Sequence, residues 1–241
     1  MKMQKFSILE VNSLSFWESV MKIAILGGSF NPVHIGHLAL ADDVCKSLCY
    51  DKVLFVPVYV PPHKQMSCAE TPEHRIAMLQ RAFKNDSRFE VEPCEIERKG
   101  ISYTVDTVHY LMEKYKGIIE GKFGLIMGQE NAAEFDKWKG AEELASVTDI
   151  IIARRVSLCC TGTSGFENRH SNGYTGGFDN DDSLKISSGF KHDFIELKNL
   201  VLPVSSTEIR ARIANNFGWR YLVPDGVFEY ILKYKLYGYK N

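Results

Sequence analysis

The stretch Gly27-Gly28-Ser29-Phe30-Asn31-Pro32-Val33-His34-Ile35-Gly36-His37 constrains the fold of this chain more than any other. An apolar run, Ile23-Ala24-Ile25-Leu26, precedes it. Leu38, Ala41, Val44, Cys45 and Leu48 follow at helical spacing. A buried strand therefore runs through a glycine turn into a helix, with two histidines at the junction. The first N–H groups of a helix lack intrahelical partners, and the helix dipole favours negative charge there. A junction of this kind binds phosphate. Gly27 and Gly28 permit the tight turn. Gly36 is expected to leave room for a ligand above the peptide plane. His34 and His37 can each donate a ring N–H to a phosphate oxygen. Neither G-x-x-x-x-G-K-[ST] nor G-x-G-x-x-G occurs at this turn, which excludes a P-loop and a dinucleotide fingerprint there.

The rest of the chain repeats the strand-then-helix pattern. Val53-Leu54-Phe55-Val56 reads as a second buried strand, completing a right-handed βαβ unit with parallel strands. Pro57 and Pro61-Pro62-His63-Lys64 form an extended loop carrying two cations. Thr71-Pro72-Glu73 opens a helix with Ile76, Leu79 and Ala82 facing inward. Phe89, Val91 and Ile96 read as a strand. Gly100 to Thr104 is a loop leading to a helix with Val105, Val108, Leu111, Met112 and Tyr115 inward, ended by Gly117. Phe123–Met127 is a strand whose exit, Gly128-Gln129-Glu130-Asn131, is polar, where open α/β sheets bind ligands. Trp138 beyond it fits either core packing or a stacking platform for a flat ring. A further strand, 150–153, ends in Arg154-Arg155. Residues 157–192 are rich in Gly, Ser, Asn and Asp and read as a surface insertion. Phe194 to Val204 is strand-like. Ser205 and Glu208 fit a capping box, with Ile209, Ile213 and the alanines inward. Pro224-Asp225 begins a last helix carrying Val227, Tyr230, Ile231 and Tyr234.

The expected architecture is α/β: a doubly wound, mainly parallel sheet flanked by helices. Residues 21–241 form a single domain interrupted by the polar insertion. Residues 1–20 lack the apolar stretch and cleavage site of a signal peptide and are expected to be a disordered N-terminal extension. In a parallel sheet all strand-to-helix junctions fall on one edge. His34, His37 and the Ser205–Arg210 turn should therefore converge on one polyphosphate.

Composition excludes several classes. Across 241 residues the formal net charge is −1, which gives no basis for non-specific nucleic-acid or membrane binding. No apolar run approaches the roughly 18 residues of a membrane span. The six cysteines form no C-x-x-C, and no His pair near them has metal-ligand spacing. Cys45 and Cys49 are expected on the buried face of one helix. Free thiols without a secretion signal point to a reducing cytoplasm.

Gly28-x-Phe30-x-Pro32-x-His34-x-Gly36-His37 and the late Ser205-Ser206-Thr207-x-x-Arg210 resemble the paired signatures of the HxGH nucleotidyltransferase superfamily, which shares the class I aminoacyl-tRNA synthetase fold. Pro61-Pro62-His63-Lys64, Ser102-Tyr103-Thr104 and Gly128-Gln129-Glu130 with Trp138 narrow the resemblance to the nicotinate-mononucleotide adenylyltransferases. Arg154-Arg155 and the segment from Leu222 to Ile231 are also similar. Asn31 and Glu130 stand where aspartate is frequent in that family. The resemblance implies transfer of AMP from ATP to nicotinate mononucleotide, with Mg²⁺ accompanying ATP and self-association left open. It implies that His34, His37 and Arg210 are catalytic. Gly27, Gly28, Ser29, Phe30, Gly36, Ser205 and Ser206 would join them in binding ATP. Lys64, Thr104 and Trp138 would bind the mononucleotide, with His63 and Lys64 forming a phosphate loop. Rival readings are another adenylyltransferase acting on nicotinamide mononucleotide or phosphopantetheine, a synthetase-type enzyme, and a nucleotide sensor without turnover. Lys185-Ile186-Ser187-Ser188-Gly189 echoes only faintly the second synthetase motif.

Overall fold

Short β-rich apolar runs, each followed by a helix that must bury one face, can satisfy both sheet faces only by parallel winding. The computed structural model describes residues 20–59, 71–154 and 190–240. Its elements are β1 (Ile23–Gly28), α1 (Ile35–Ser47), β2 (Lys52–Pro57), α2 (Pro72–Ala82), β3 (Phe89–Val91), α3 (Cys94–Arg98) and α4 (Thr104–Lys114). There follow β4 (Phe123–Gly128), α5 (Gln129–Ala133), α6 (Ala141–Val147), β5 (Thr148–Ala153), β6 (Ile195–Leu197), α7 (Ser206–Ala214) and α8 (Asp225–Tyr234). The six strands lie in the order β3-β2-β1-β4-β5-β6, and every neighbouring pair is parallel.

Strand alternation divides the core into two layers. Ala24, Leu26, Val53 and Phe55 pack on one face with Val44 of α1, Leu79 of α2, Ile209 of α7 and Val227 of α8. Ile23, Ile25, Leu54 and Val56 pack on the other with Val108 and Leu111 of α4 and Leu144 of α6. The chain winds outward from β1 through β2 to β3, returns to β4, and then winds outward the other way. Loops after β1 and β4 therefore part in opposite directions, leaving a crevice at their carboxyl ends.

The doubly wound parallel sheet is as expected, but several local readings are not. Ile96 belongs to helix α3 rather than to a strand. In α2 the buried positions are Arg75, Met78 and Leu79, and Ile76 and Ala82 are only half-buried. Met112 and Tyr234 are exposed, as are Ala211 and Ala214 of α7. Cys45 is buried, but Cys49 lies past the end of α1, left-handed and exposed, so the two do not share a face. The strand expected between Phe194 and Val204 is only β6. The end of the expected surface insertion is packed: Phe190 and His192 lie against the fully buried Phe135, with ring centroids 5.6 and 5.5 Å away. Residues 1–19 and 155–189 lie outside the described residues, as do His63 and Lys64. No described helix is long and apolar enough to cross a membrane.

One glycine shows how tightly the sheet is packed. A Cβ on Gly124 of β4 would lie 2.7 Å from the Tyr50 ring and 2.8 Å from Cδ1 of Ile151, both buried. Close-packed interiors have no space for the displaced atoms. Gly124→Ala is expected to lower stability by about 1–3 kcal/mol. Gly218→Ala, where an added methyl meets nothing, should melt close to the parent protein.

Candidate active site

The site grows from the turn after β1. Phe30 adopts a left-handed backbone, φ 47°, and its ring turns back into the core, 1% exposed. A Cβ on Gly28 would lie 3.0 Å from that ring, so this glycine makes space for Phe30. Asn31 and Pro32 are then held from outside the turn. Arg210 Nη1 donates to the Asn31 carbonyl at 2.7 Å, and Ser206 Oγ donates to the Pro32 carbonyl at 2.8 Å. The Tyr237 hydroxyl donates to Asn31 Oδ1 at 2.7 Å. The late Ser-Ser-Thr turn thus reaches the histidine loop as expected, by direct contact.

His34 is the N-cap of α1 and is buried. Its backbone N–H donates to His37 Nδ1 at 3.3 Å. A His37 whose Nδ1 accepts carries its ring proton on Nε2, the tautomer that donates to a phosphate oxygen. The two imidazoles stack with centroids 3.8 Å apart, and Phe30 meets His37 edge-on at 5.1 Å. The reason for Gly36 differs from the expected one. A Cβ there would lie 2.9 Å from Val204 and 3.1 Å from the His34 ring. Gly36 makes room for protein atoms, while the residue still lines the smaller cavity. At the start of α7, Ser205 Oγ accepts the Glu208 N–H at 3.1 Å. Only this half of the expected capping box is seen, since the Glu208 carboxylate pairs with Arg212 at 2.8 Å.

Two cavities meet at the crevice. The smaller, about 190 Å³, is lined by His34, His37 and Gly36 together with Arg154, Asn199 and Val204. The larger, about 390 Å³, is lined by Gly28 and Ser29 with Thr104, Trp138, Tyr103 and Lys139. Gly27, Ile126 and Asn131 line both. The structure therefore sorts the expected residues into a histidine side and a Thr104–Trp138 side. Phe30, Ser206 and Arg210 support the loop between them.

Several polar groups at the site were not singled out by their sequence pattern. Glu95 lines the larger cavity, and its Oε1 accepts from Thr107 Oγ1 at 2.7 Å, which in turn accepts from Arg98 Nη2 at 2.9 Å. Burial raises the Glu95 carboxyl above the usual range, against the Thr107 hydrogen bond. The Lys139 ammonium stands over the Tyr103 ring at 4.5 Å and 3.4 Å from Asp106. Asn199 Oδ1 accepts the Arg154 N–H at 2.8 Å, and its Nδ2 donates back to the Arg154 carbonyl at 3.1 Å. This brace fixes the wall of the smaller cavity. Asn131, which lines both cavities, was foreshadowed as part of the polar exit of β4.

Gly27 offers a clean test of where ligands sit. A Cβ there meets no protein atom within 4 Å, yet the residue lines both cavities. Gly27→Ala should keep its melting temperature and lose affinity for nucleotide, measured by calorimetric titration. Unchanged affinity would move the ligand away from this turn.

Comparison with known proteins identifies the family. The cytidylyltransferase-like family model matches residues 25–212. A probable nicotinate-nucleotide adenylyltransferase of Borreliella afzelii is 37% identical over 217 residues, covering 90% of this chain and 97% of that protein. Its counterpart in Treponema pallidum is also 37% identical, covering 90% and 99%. Among solved structures, Plasmodium falciparum nicotinic acid mononucleotide adenylyltransferase complexed with NaAD shares the fold, with a TM-score of 0.60 at 18% identity. That match covers 91% of this chain and 98% of the other. The chain belongs to the cytidylyltransferase-like family and, within it, to the nicotinate-nucleotide adenylyltransferases.

Proposed function

We propose that this protein transfers the adenylyl group of ATP to the phosphate of nicotinate mononucleotide, giving deamido-NAD and pyrophosphate in NAD biosynthesis. The observation that carries this reading is the junction of the two cavities at Gly27, beside the His34–His37 turn. ATP occupies the histidine side and the mononucleotide occupies the Thr104–Trp138 side, so that their phosphates meet over the loop. A mononucleotide phosphate oxygen forms a bond to the α-phosphorus of ATP. The bond from that phosphorus to the bridging oxygen breaks, and its electron pair leaves with pyrophosphate. The nucleophile is already an anion, so no strong base is required. The difficulty is to bring two anions together, and positioning with electrostatic stabilisation supplies most of the rate.

His37 Nε2 is the donor assigned to the α-phosphate, with His34 beside it. Ser205, Ser206 and Arg210 are assigned to the β- and γ-phosphates, and the hold of Ser206 and Arg210 on the Pro32 and Asn31 carbonyls supports this by placing α7 against the loop. Thr104 takes the nicotinate carboxylate and Trp138 the pyridine ring. The polar side chains lining the histidine side are His34, His37, Arg154, Asn131 and Asn199, with no carboxylate among them, a set that suits phosphate oxygens rather than a hard cation. Mg²⁺ therefore fits as an ion carried on the ATP phosphates. The free thiols Cys45, Cys49 and Cys94 suit a cytoplasmic enzyme.

Pyrophosphate release should be compared with ATP against nicotinate mononucleotide, nicotinamide mononucleotide and phosphopantetheine. The highest kcat/KM is expected with nicotinate mononucleotide. Preference for phosphopantetheine, or release that needs no second substrate, would overturn the reading. His37→Ala should lower kcat at least ~100-fold, the scale for losing a transition-state donor, with little change in melting. Trp138→Ala should raise KM for the mononucleotide more than for ATP, and an equal effect on both would mark it as a packing residue.

A further inference from the structure

A buried guanidinium underlies the larger cavity. Arg75 of α2 is 0% exposed. Its Nη1 donates to the Ser29 carbonyl at 2.9 Å and to the Val58 carbonyl at 2.8 Å. Ser29 follows β1, Val58 follows β2, and both line the cavity that holds Thr104 and Trp138. In a trans peptide the carbonyl and the next N–H point in opposite directions. Holding these two carbonyls inward turns the Phe30 and Tyr59 N–H groups of the same peptides away from the guanidinium, and Ser29 and Val58, which begin those peptides, line the cavity. Two peptide dipoles thus present their positive ends to one space, an arrangement that attracts anions.

The charge on Arg75 points the same way. Its Nε and Nη2 are buried without a hydrogen-bond partner among the described residues. Burial lowers the affinity of the guanidinium for its proton, but arginine remains charged. A buried cation with no ion pair among the described residues is costly to the fold, the exposed Glu73 carboxylate offsets this only in part, and an anion docked on the far side of the two peptides would offset more. The histidine turn lines the other cavity, so the anion served by Arg75 belongs to the substrate in the Thr104–Trp138 space.

We propose that Arg75 is a positioning residue for the mononucleotide phosphate: it orients the Phe30 and Tyr59 N–H groups as that phosphate's seat and places a fixed positive charge beneath them. This rests on the adenylyl-transfer reading above and adds the group that holds the nucleophile in place.

The test compares binding of nicotinate mononucleotide with that of nicotinate riboside, which lacks the phosphate, by calorimetry. Parent protein, Arg75→Met and Arg75→Lys are titrated, with a non-hydrolysable ATP analogue as a reference. The parent protein should favour the mononucleotide over the riboside by at least ~10-fold, the scale of a charge-assisted hydrogen bond. Arg75→Met should lose most of that preference while riboside and ATP-analogue affinities hold, and Arg75→Lys should keep part of it. An equal loss for all three ligands would reduce Arg75 to a structural role and overturn the proposal. So would a full phosphate preference in Arg75→Met. If the variants do not fold, amide resonances of the parent protein decide. Phe30 and Tyr59 should shift downfield with the mononucleotide and not with the riboside, and their silence overturns the proposal. A parent protein that binds neither ligand would instead refute the adenylyl-transfer reading itself.

Discussion

The carbonyls of the turn after β1 are held from behind, and the site depends on it. Arg75 takes the Ser29 carbonyl, Arg210 takes that of Asn31, and Ser206 takes that of Pro32. Tyr237 adds a hydrogen bond to the Asn31 side chain. These four groups come from α2, α7 and the C-terminal segment, elements far apart in the chain. The acceptors on Asn31 and Pro32 belong to buried residues, and buried polar groups require such partners. Together they bring the turn into one shape before any ligand arrives. A turn whose carbonyls are occupied on its protein side is prepared to meet anions on the other, without reorganisation during the reaction.

The sheet supplies the place. Reversal of winding between β1 and β4 parts their loops, and Gly27 of β1 and Asn131 of α5 line both cavities that meet there. The helix that starts at His34 points its N-terminus into the same crevice. His37 Nδ1 accepts a backbone N–H, which places the ring proton of the neutral imidazole on Nε2. The proposed transfer needs no strong base, and in that reading the turn, helix start and imidazoles would supply positive potential where the reaction gathers negative charge.

The parallel sheet and the loop from Gly27 to His37 were legible because their signals are local: apolar runs, glycines and a helix start within a few residues. The contact with Ser205–Arg210 was legible through topology, since parallel strands place their exits on one edge. Arg75 was not. It occupies an inward position of α2 with Met78 and Leu79, and reading only apolar residues as inward displaced the face to Ile76 and Ala82. Glu95 was hidden because α3 is too short to show a helical period, and its apolar Ile96 read as strand. Gly36 was found but for another reason, because the close approach of Val204 is tertiary and leaves no mark on the neighbouring sequence. The same holds for Ser206 and Arg210, whose grip on loop carbonyls appears only once α7 is docked.

On the proposed mechanism the adenylyl group passes directly between two anions held over one preorganised turn, with no covalent adenylyl-enzyme. The stereochemical course at the α-phosphorus tests it most directly. ATP made chiral there by a single sulfur substitution is reacted with nicotinate mononucleotide, and the configuration of the thio-dinucleotide product is determined. A single in-line displacement inverts that centre, and inversion is the predicted result. Retention would require two displacements through an enzyme nucleophile and would contradict direct transfer.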